Sequence, residues 1–288
     1  MSDSSTVPNA ARQFSRYISL PVFVLGLIGN SLNAIIFTRR SLIKNPCTVY
    51  LLSSTITNIN VLFFGLLVRS LHDDFSIDII GYSVVLCRLR YFILHTSYTL
   101  SSWFLVLASI DRYCLSSRHA YLRNYSCLSK ARRSIALTSV GCLLIYIHIL
   151  GFFQIENLSS GPYCYAEIGS YRVFYDFLFF ALFSCLPPIS MMIIGLATLR
   201  HVRLVRQRIR TTGAIVRSIN RKDRQLIVML FVQLIATILC TLPHAILKLY
   251  TTFSRDQSKT IDRLSVENLL SQITRQLLYI NASMSFYL

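Results

Sequence analysis

Seven long apolar stretches separated by short polar segments dominate the chain, near residues 17–38, 48–71, 83–115, 134–154, 171–199, 224–251 and 264–288. A helix that crosses a bilayer needs about 20 mostly apolar residues, because the hydrocarbon core is roughly 30 Å thick and each residue rises about 1.5 Å. Every stretch meets that length, so the pattern predicts an all-α membrane protein, a bundle of seven spanning helices. The seventh is the weakest, since it carries Glu267, Gln272 and Arg275. The first residues, from Met1 to Tyr17, are polar and lack the apolar core of a signal peptide, which leaves the first helix to direct its own insertion.

Composition agrees. Of 288 residues, 53% are hydrophobic and only 14% charged, where a soluble protein carries about 25% charge. That shortage makes a water-solvated surface hard to build. The net charge of +17 would suit nucleic acid only if the basic residues covered a soluble face. Here they sit between apolar runs and report topology instead.

Basic residues gather in the loops on the cytosolic side of a membrane protein. One side of this chain collects Arg39, Arg40 and Lys44, then Arg118, Arg123, Lys130, Arg132 and Arg133, then the run from Arg200 to Arg224. The other side holds most of the acids, among them Asp73, Asp74, Asp78, Glu156, Glu167, Asp256 and Asp262. With seven spans this places the amino terminus, residues 1–16, outside and the carboxyl terminus inside. On that topology Cys47, Cys114 and Cys127 face the reducing cytosol, and Cys142, Cys185 and Cys240 lie within helices. Cys87 and Cys164 remain at the outer side, where a disulfide persists; they are either bridged or two free thiols. No internal repeat, zinc-ligand spacing or phosphate-cradling glycine loop appears, so the residues imply no metal, no cofactor and no enzyme.

The third span carries the most specific motif. Cys87 opens it and Asp111-Arg112-Tyr113 closes it, a spacing that delivers Cys87 to one face of the membrane and Arg112 to the other. Gly29-Asn30 lies in the first span, the run from Leu51 to Asn58 in the second, Pro187 and Pro188 in the fifth, Cys240-Thr241-Leu242-Pro243 in the sixth and Asn281 to Tyr287 at the end of the seventh. Together these resemble the rhodopsin-like (class A) G-protein-coupled receptors over nearly the whole chain from Tyr17 onward. Within that family the style is closest to invertebrate neuropeptide receptors, such as those for FMRFamide-like peptides.

The resemblance implies a plasma-membrane, multi-pass receptor whose partners are an extracellular ligand, a peptide by family style, and a heterotrimeric G protein. It implies a disulfide from Cys87 to Cys164 in the second extracellular loop. Asp111, Arg112 and Tyr113 become a coupling switch, in which Asp111 holds Arg112 at rest. The competing reading of Arg112 is a snorkelling arginine at a helix end. Asn30, Asn58, Pro187, Pro188 and Pro243 become helix-shaping positions, the prolines acting as hinges or as static kinks.

A charge inside the bilayer costs about 2.5–3.5 kcal/mol on insertion scales, so intramembrane cations need a reason. In the family alignment Lys248 and Arg275 approach the ligand pocket with His95, Tyr98, His244 and Gln272. Either the two cations meet an acidic group on the ligand, or they pair with Asp176, Glu267 or loop acids. Leu94 occupies the position where amine receptors carry Asp, which argues against a protonated-amine ligand. The last span has no lysine to form a retinal Schiff base. Asn157-Leu158-Ser159 fits a glycosylation sequon in an outer loop, and the basic third inner loop suits anionic lipids at about 1 kcal/mol per residue.

The departures matter as well. Asn58 replaces an Asp that helps bind sodium, which predicts weak or absent sodium regulation. Thr241 stands at the toggle tryptophan, Ser285-Phe286 stands at the Asn-Pro pair, and the only tryptophan is Trp103. A decoy receptor that binds without signalling is therefore an alternative within the fold. A transporter would show paired half-repeats and a charged midplane path, which the chain lacks.

Overall fold

The computed structural model describes the backbone of residues 6–75, 83–117, 119–158, 161–212, 221–254 and 260–287. Seven long helices and one hairpin follow in order. We label the helices α1 (Thr6–Phe37), α2 (Pro46–Val61, continued by Leu62–Leu67 and Val68–Phe75) and α3 (Val84–Ser116). They continue as α4 (Leu128–Tyr146), α5 (Ser170–Phe179, Phe180–Cys185 and Leu186–Thr212), α6 (Arg221–Phe253) and α7 (Ile261–Ser283). Single turns of helix lie at Ala120–Arg123 and Ile149–Phe152, and a 3₁₀ turn at Met284–Phe286 follows α7.

Among the described residues six helices, α1 to α6, are long and apolar enough to cross a membrane. The seventh falls short because Asp262, Arg263, Glu267 and Arg275 interrupt it. The membrane-length part of α1 begins at Arg16, one residue before the expected span, yet the helix itself starts at Thr6. Hydropathy locates the bilayer, whereas helix propensity decides where the backbone stops being helical. The same distinction carries α2 to Phe75 and α5 to Thr212, past the expected ends at 71 and 199.

The fourth span, expected over 134–154, runs over Leu128–Phe152, which is α4 with the single turn that follows it. The last two expected residues belong instead to Phe153–Leu158, a β-strand, β1. It pairs antiparallel with β2 (Gly161–Ala166), Phe153 opposite Ala166 and Ile155 opposite Cys164. In Phe153-Gln154-Ile155-Glu156, apolar and polar residues alternate with the period of a strand. Gly169, at φ 122°, then turns the chain into α5. That left-handed backbone favours glycine.

In lipid the hydrophobic effect does not drive helices together, so small residues and interhelical hydrogen bonds hold the bundle. The most central helix is α3: 72% of its most apolar window is buried, against 17% for α4 at the periphery. It packs on α2, α4, α5, α6 and the hairpin. The α1–α7 seam is polar. Asn30 donates from Nδ2 to the carbonyls of Gly26 (2.8 Å) and Ala282 (3.0 Å). Gln276 donates to Ser19 Oγ (2.8 Å), and Ser283 to the Val22 carbonyl (3.1 Å). A Cβ on Gly26 would collide with the Ser283 side chain, so the two helices approach most closely where the residue is glycine.

Two helices widen into π-turns. In α5 the amide of Leu186 donates five residues back, to Ala181. The next donor in that register would be Pro187, which has no N–H, so the Leu182 carbonyl is left without a backbone partner. Trp103 fills the gap: its indole donates to that carbonyl at 3.0 Å. The only tryptophan therefore ties α3 to the widened turn of α5. Because a buried acceptor left unmade costs about 1–3 kcal/mol, Trp103→Phe is expected to lower stability by that amount in thermal unfolding of the solubilised protein. An unchanged midpoint would show that the bond contributes nothing net.

Candidate functional site

The hairpin caps one end of the bundle. Cys164 on β2 is disulfide-bonded to Cys87 at the start of α3, and Arg88 donates from Nε to the Phe153 carbonyl at 2.8 Å. Cys87, Tyr146, Ile149, Phe153, Cys164, Tyr165, Ala166 and Tyr175 pack into one apolar cluster around the bridge. Beneath this cap lies a cavity of about 320 Å³ between α2, α3, α5, α6, α7 and the hairpin.

His95, Tyr98, His244, Lys248 and Arg275 all line that cavity. Gln272 does not. On α7 the cavity face is Ser271, Arg275, Leu278 and Tyr279, the i, i+4, i+7, i+8 stripe of one helical face; Gln272 lies one residue out of phase. Leu94 lines the cavity too, with its side chain against Gly65, whose Cβ would meet it at 2.9 Å.

The cations differ in their partners. Lys248 pairs with Asp176 (Nζ–Oδ1 3.3 Å) and lies over the rings of Tyr165, Tyr175 and Phe179 at 4.6–5.0 Å. Asp176 also accepts from Tyr165 Oη at 2.6 Å and from the Thr252 hydroxyl. This carboxylate joins β2, α5 and α6 at one point. Asp176 is thus one partner of Lys248 inside the protein. Arg275 instead donates to the Ser271 hydroxyl at 3.3 Å.

Three lining arginines, Arg69, Arg90 and Arg172, are absent from the sequence-derived pocket. Arg172 pairs with Glu156 at 2.7 Å. Arg90 donates to the carbonyls of Phe64 (2.8 Å) and Gly65 (3.3 Å) in the π-turn of α2. The argument that singled out Lys248 and Arg275, a cation within a span, applies equally to Arg90. His95 sits among Tyr91, Tyr98, Tyr146, Tyr175 and Phe179, with Nε2 bonded to Tyr175 Oη. Its Nδ1 is buried without a partner.

At the opposite end of α3, Asp111 and Arg112 form an ion pair at 3.0 Å, both buried. Arg112 Nη2 also donates at 2.6 Å to Asn45 Oδ1, the N-cap side chain of α2. Ser126 donates to Asp111 Oδ1 at 2.6 Å. The pair is therefore held by two further elements, which an incidental snorkelling arginine does not require. Tyr113 meets His201 of α5 edge-on, with ring centroids 5.3 Å apart. A narrow apolar crevice beside Arg112 is lined by Met191 and Gly195 of α5 and Leu230 and Phe231 of α6.

The remaining positions sort as follows. Asn58 is buried and accepts from Ser101 Oγ at 2.6 Å, linking α2 to α3. Pro187 and Pro188 follow the π-turn of α5, and Pro243 lies inside α6. Asn157 is on β1, while Ser159 of its sequon lies outside the described residues.

A family model described as "7 transmembrane receptor (rhodopsin family)" matches residues 29–284. That range runs from within α1 to the turn after α7. No curated protein matches the chain.

Proposed function

The chain belongs to the rhodopsin family of seven-transmembrane receptors, and from that premise we propose that it passes the binding of an extracellular ligand, a neuropeptide, to a heterotrimeric G protein. The observation that carries the proposal is the arrangement of two sites on one helix. α3 places His95 and Tyr98 in the capped cavity and the Asp111–Arg112 pair at its far end. In this reading the hairpin with Asn157 faces outward at the plasma membrane and Arg112 faces the cytosol.

A ligand shifts a receptor only by its differential affinity for two states. The cavity walls come from α3, α5, α6 and α7, so a ligand that prefers one relative placement of these helices biases all of them. The α5–α6 contact beside Arg112 is a glycine against a ring, Gly195 against Phe231. Pro243 interrupts the α6 backbone ladder between that contact and the cavity, where kinks arise. Outward movement of α6 from this point opens the crevice and exposes Arg112 to a G-protein segment.

The test is G-protein activation in cells that display the chain at their surface, challenged with a peptide panel. A response to a peptide that Arg112→Ala abolishes at equal surface density is expected. A chain that binds a peptide and activates no G protein would support the decoy reading instead.

A further inference from the structure

Among the described residues, the cavity lining carries more basic side chains than carboxylates. Lys248 is matched by Asp176 and Arg172 by Glu156. Arg90 and Arg275 are not matched in this way: among the described residues their hydrogen bonds go to backbone carbonyls and to a serine hydroxyl. Both arginines line the one cavity, together with Tyr98 and Tyr279. Arg90 is 8% exposed. A buried cation without a counter-charge is costly, and neutral acceptors offset only part of that cost.

The rest of the region also looks incomplete. His95 lines the same cavity and has an unpartnered, buried Nδ1. Most buried polar atoms in native proteins have a partner. An arginine presents several donors in a planar fork that fits a carboxylate, and it cannot shed its charge. Lys248 is less suited to the role, being already enclosed by Asp176 and three rings.

We propose that the cavity recognises its ligand through a carboxylate bound by Arg90 and Arg275, with Lys248 reserved for the internal pair with Asp176. The proposal rests on the reading of this cavity as the ligand site. It assigns the anion to α3 and α7, whereas the Asp176–Lys248 pair joins α5 and α6. A carboxylate in this place neutralises the buried Arg90 and the partly exposed Arg275 at once, and its affinity comes chiefly from that match.

The test uses the solubilised full chain and affinity selection from an equimolar pool of N-acetyl tripeptides, each made both as the free acid and as the primary amide. The two members of a pair differ in little but charge. For sequences without Asp or Glu, the acid is expected to be captured about tenfold over its amide. Arg275→Gln brings that ratio close to one, and Arg275→Lys, which keeps a positive charge, restores part of it. A preserved thermal transition in Arg275→Gln shows that the loss is not misfolding. Should Asp- or Glu-containing members be captured equally as acids and amides, with the same dependence on Arg275, the carboxylate is a side chain rather than a terminus. Equal capture of acid and amide throughout, an acid preference that survives Arg275→Gln, or capture of no member would overturn the proposal.

Failure here is separable from failure of the receptor reading. Neutral amides that bind and stimulate nucleotide exchange would remove the carboxylate and keep the receptor. Acids that bind through Arg275 and stimulate no G protein would do the reverse.

Discussion

Asp176→Ala is expected to destabilise the protein by about 3–5 kcal/mol, the range for removing one partner of a buried ion pair. In thermal unfolding of the solubilised chain this corresponds to a fall of roughly 6–20 °C. The carboxylate is almost completely enclosed and accepts from Tyr165, Thr252 and Lys248. Its removal strands the Lys248 ammonium among three aromatic rings, which attract a cation but supply no counter-charge. The hairpin and α6 also lose their common anchor on α5. The pair itself need not be net stabilising, because two charges had to leave water to form it. Replacing both partners by apolar residues, Asp176→Leu with Lys248→Met, should therefore recover most of the loss. A single Asp176→Ala variant that melts within a degree of the wild type would show that Lys248 has another partner or is solvated.

Much of this architecture is legible in the sequence, for a physical reason. A spanning helix must satisfy its backbone internally over a fixed thickness, so length and hydropathy alone find α1 to α6. The seventh helix is readable but weak, since Glu267 and Arg275 dilute its apolar run. The hairpin was hidden because Phe153 and Ile155 extend the apolar stretch of α4, and their alternation with Gln154 and Glu156 covers too few residues to stand out. The π-turns leave little compositional trace; Pro187 marks one of them only once its missing donor is placed against Leu182.

The site shows the same division. Residue type and depth were enough to bring Lys248, Arg275, His95, Tyr98 and His244 to one cavity. The sequence does not resolve helical phase finely enough to exclude Gln272, and Arg90 stands beside the more prominent Cys87 with no motif of its own. The sequence offers Asp176 as a partner for Lys248, but only the packing of α5 against α6 brings the two together.

The second large effect is expected at the far end of α3. Asp111→Asn removes the charge that faces Arg112 at 3.0 Å and weakens the acceptor for Ser126. Arg112 keeps its bond to Asn45, so the closed arrangement is weakened rather than abolished. A shift of about 1–3 kcal/mol between two states changes their ratio roughly 5–150-fold. Ligand-independent signalling should rise within that range. Arg112→Ala is expected to act in the opposite sense: it also opens the clasp, but it removes the group offered to the G protein. A purely structural ion pair would make both variants less stable and neither more active.

In the proposed function, opening the Asp111–Arg112 clasp is what activates a G protein. The most direct measurement is nucleotide exchange by purified heterotrimeric G proteins on vesicles containing the full chain, comparing wild type, Asp111→Asn and Arg112→Ala at matched density without added ligand. Exchange above wild type is expected for Asp111→Asn, and exchange at the level of empty vesicles for Arg112→Ala. Exchange by Asp111→Asn no greater than that of Arg112→Ala, across the G-protein classes, would contradict it.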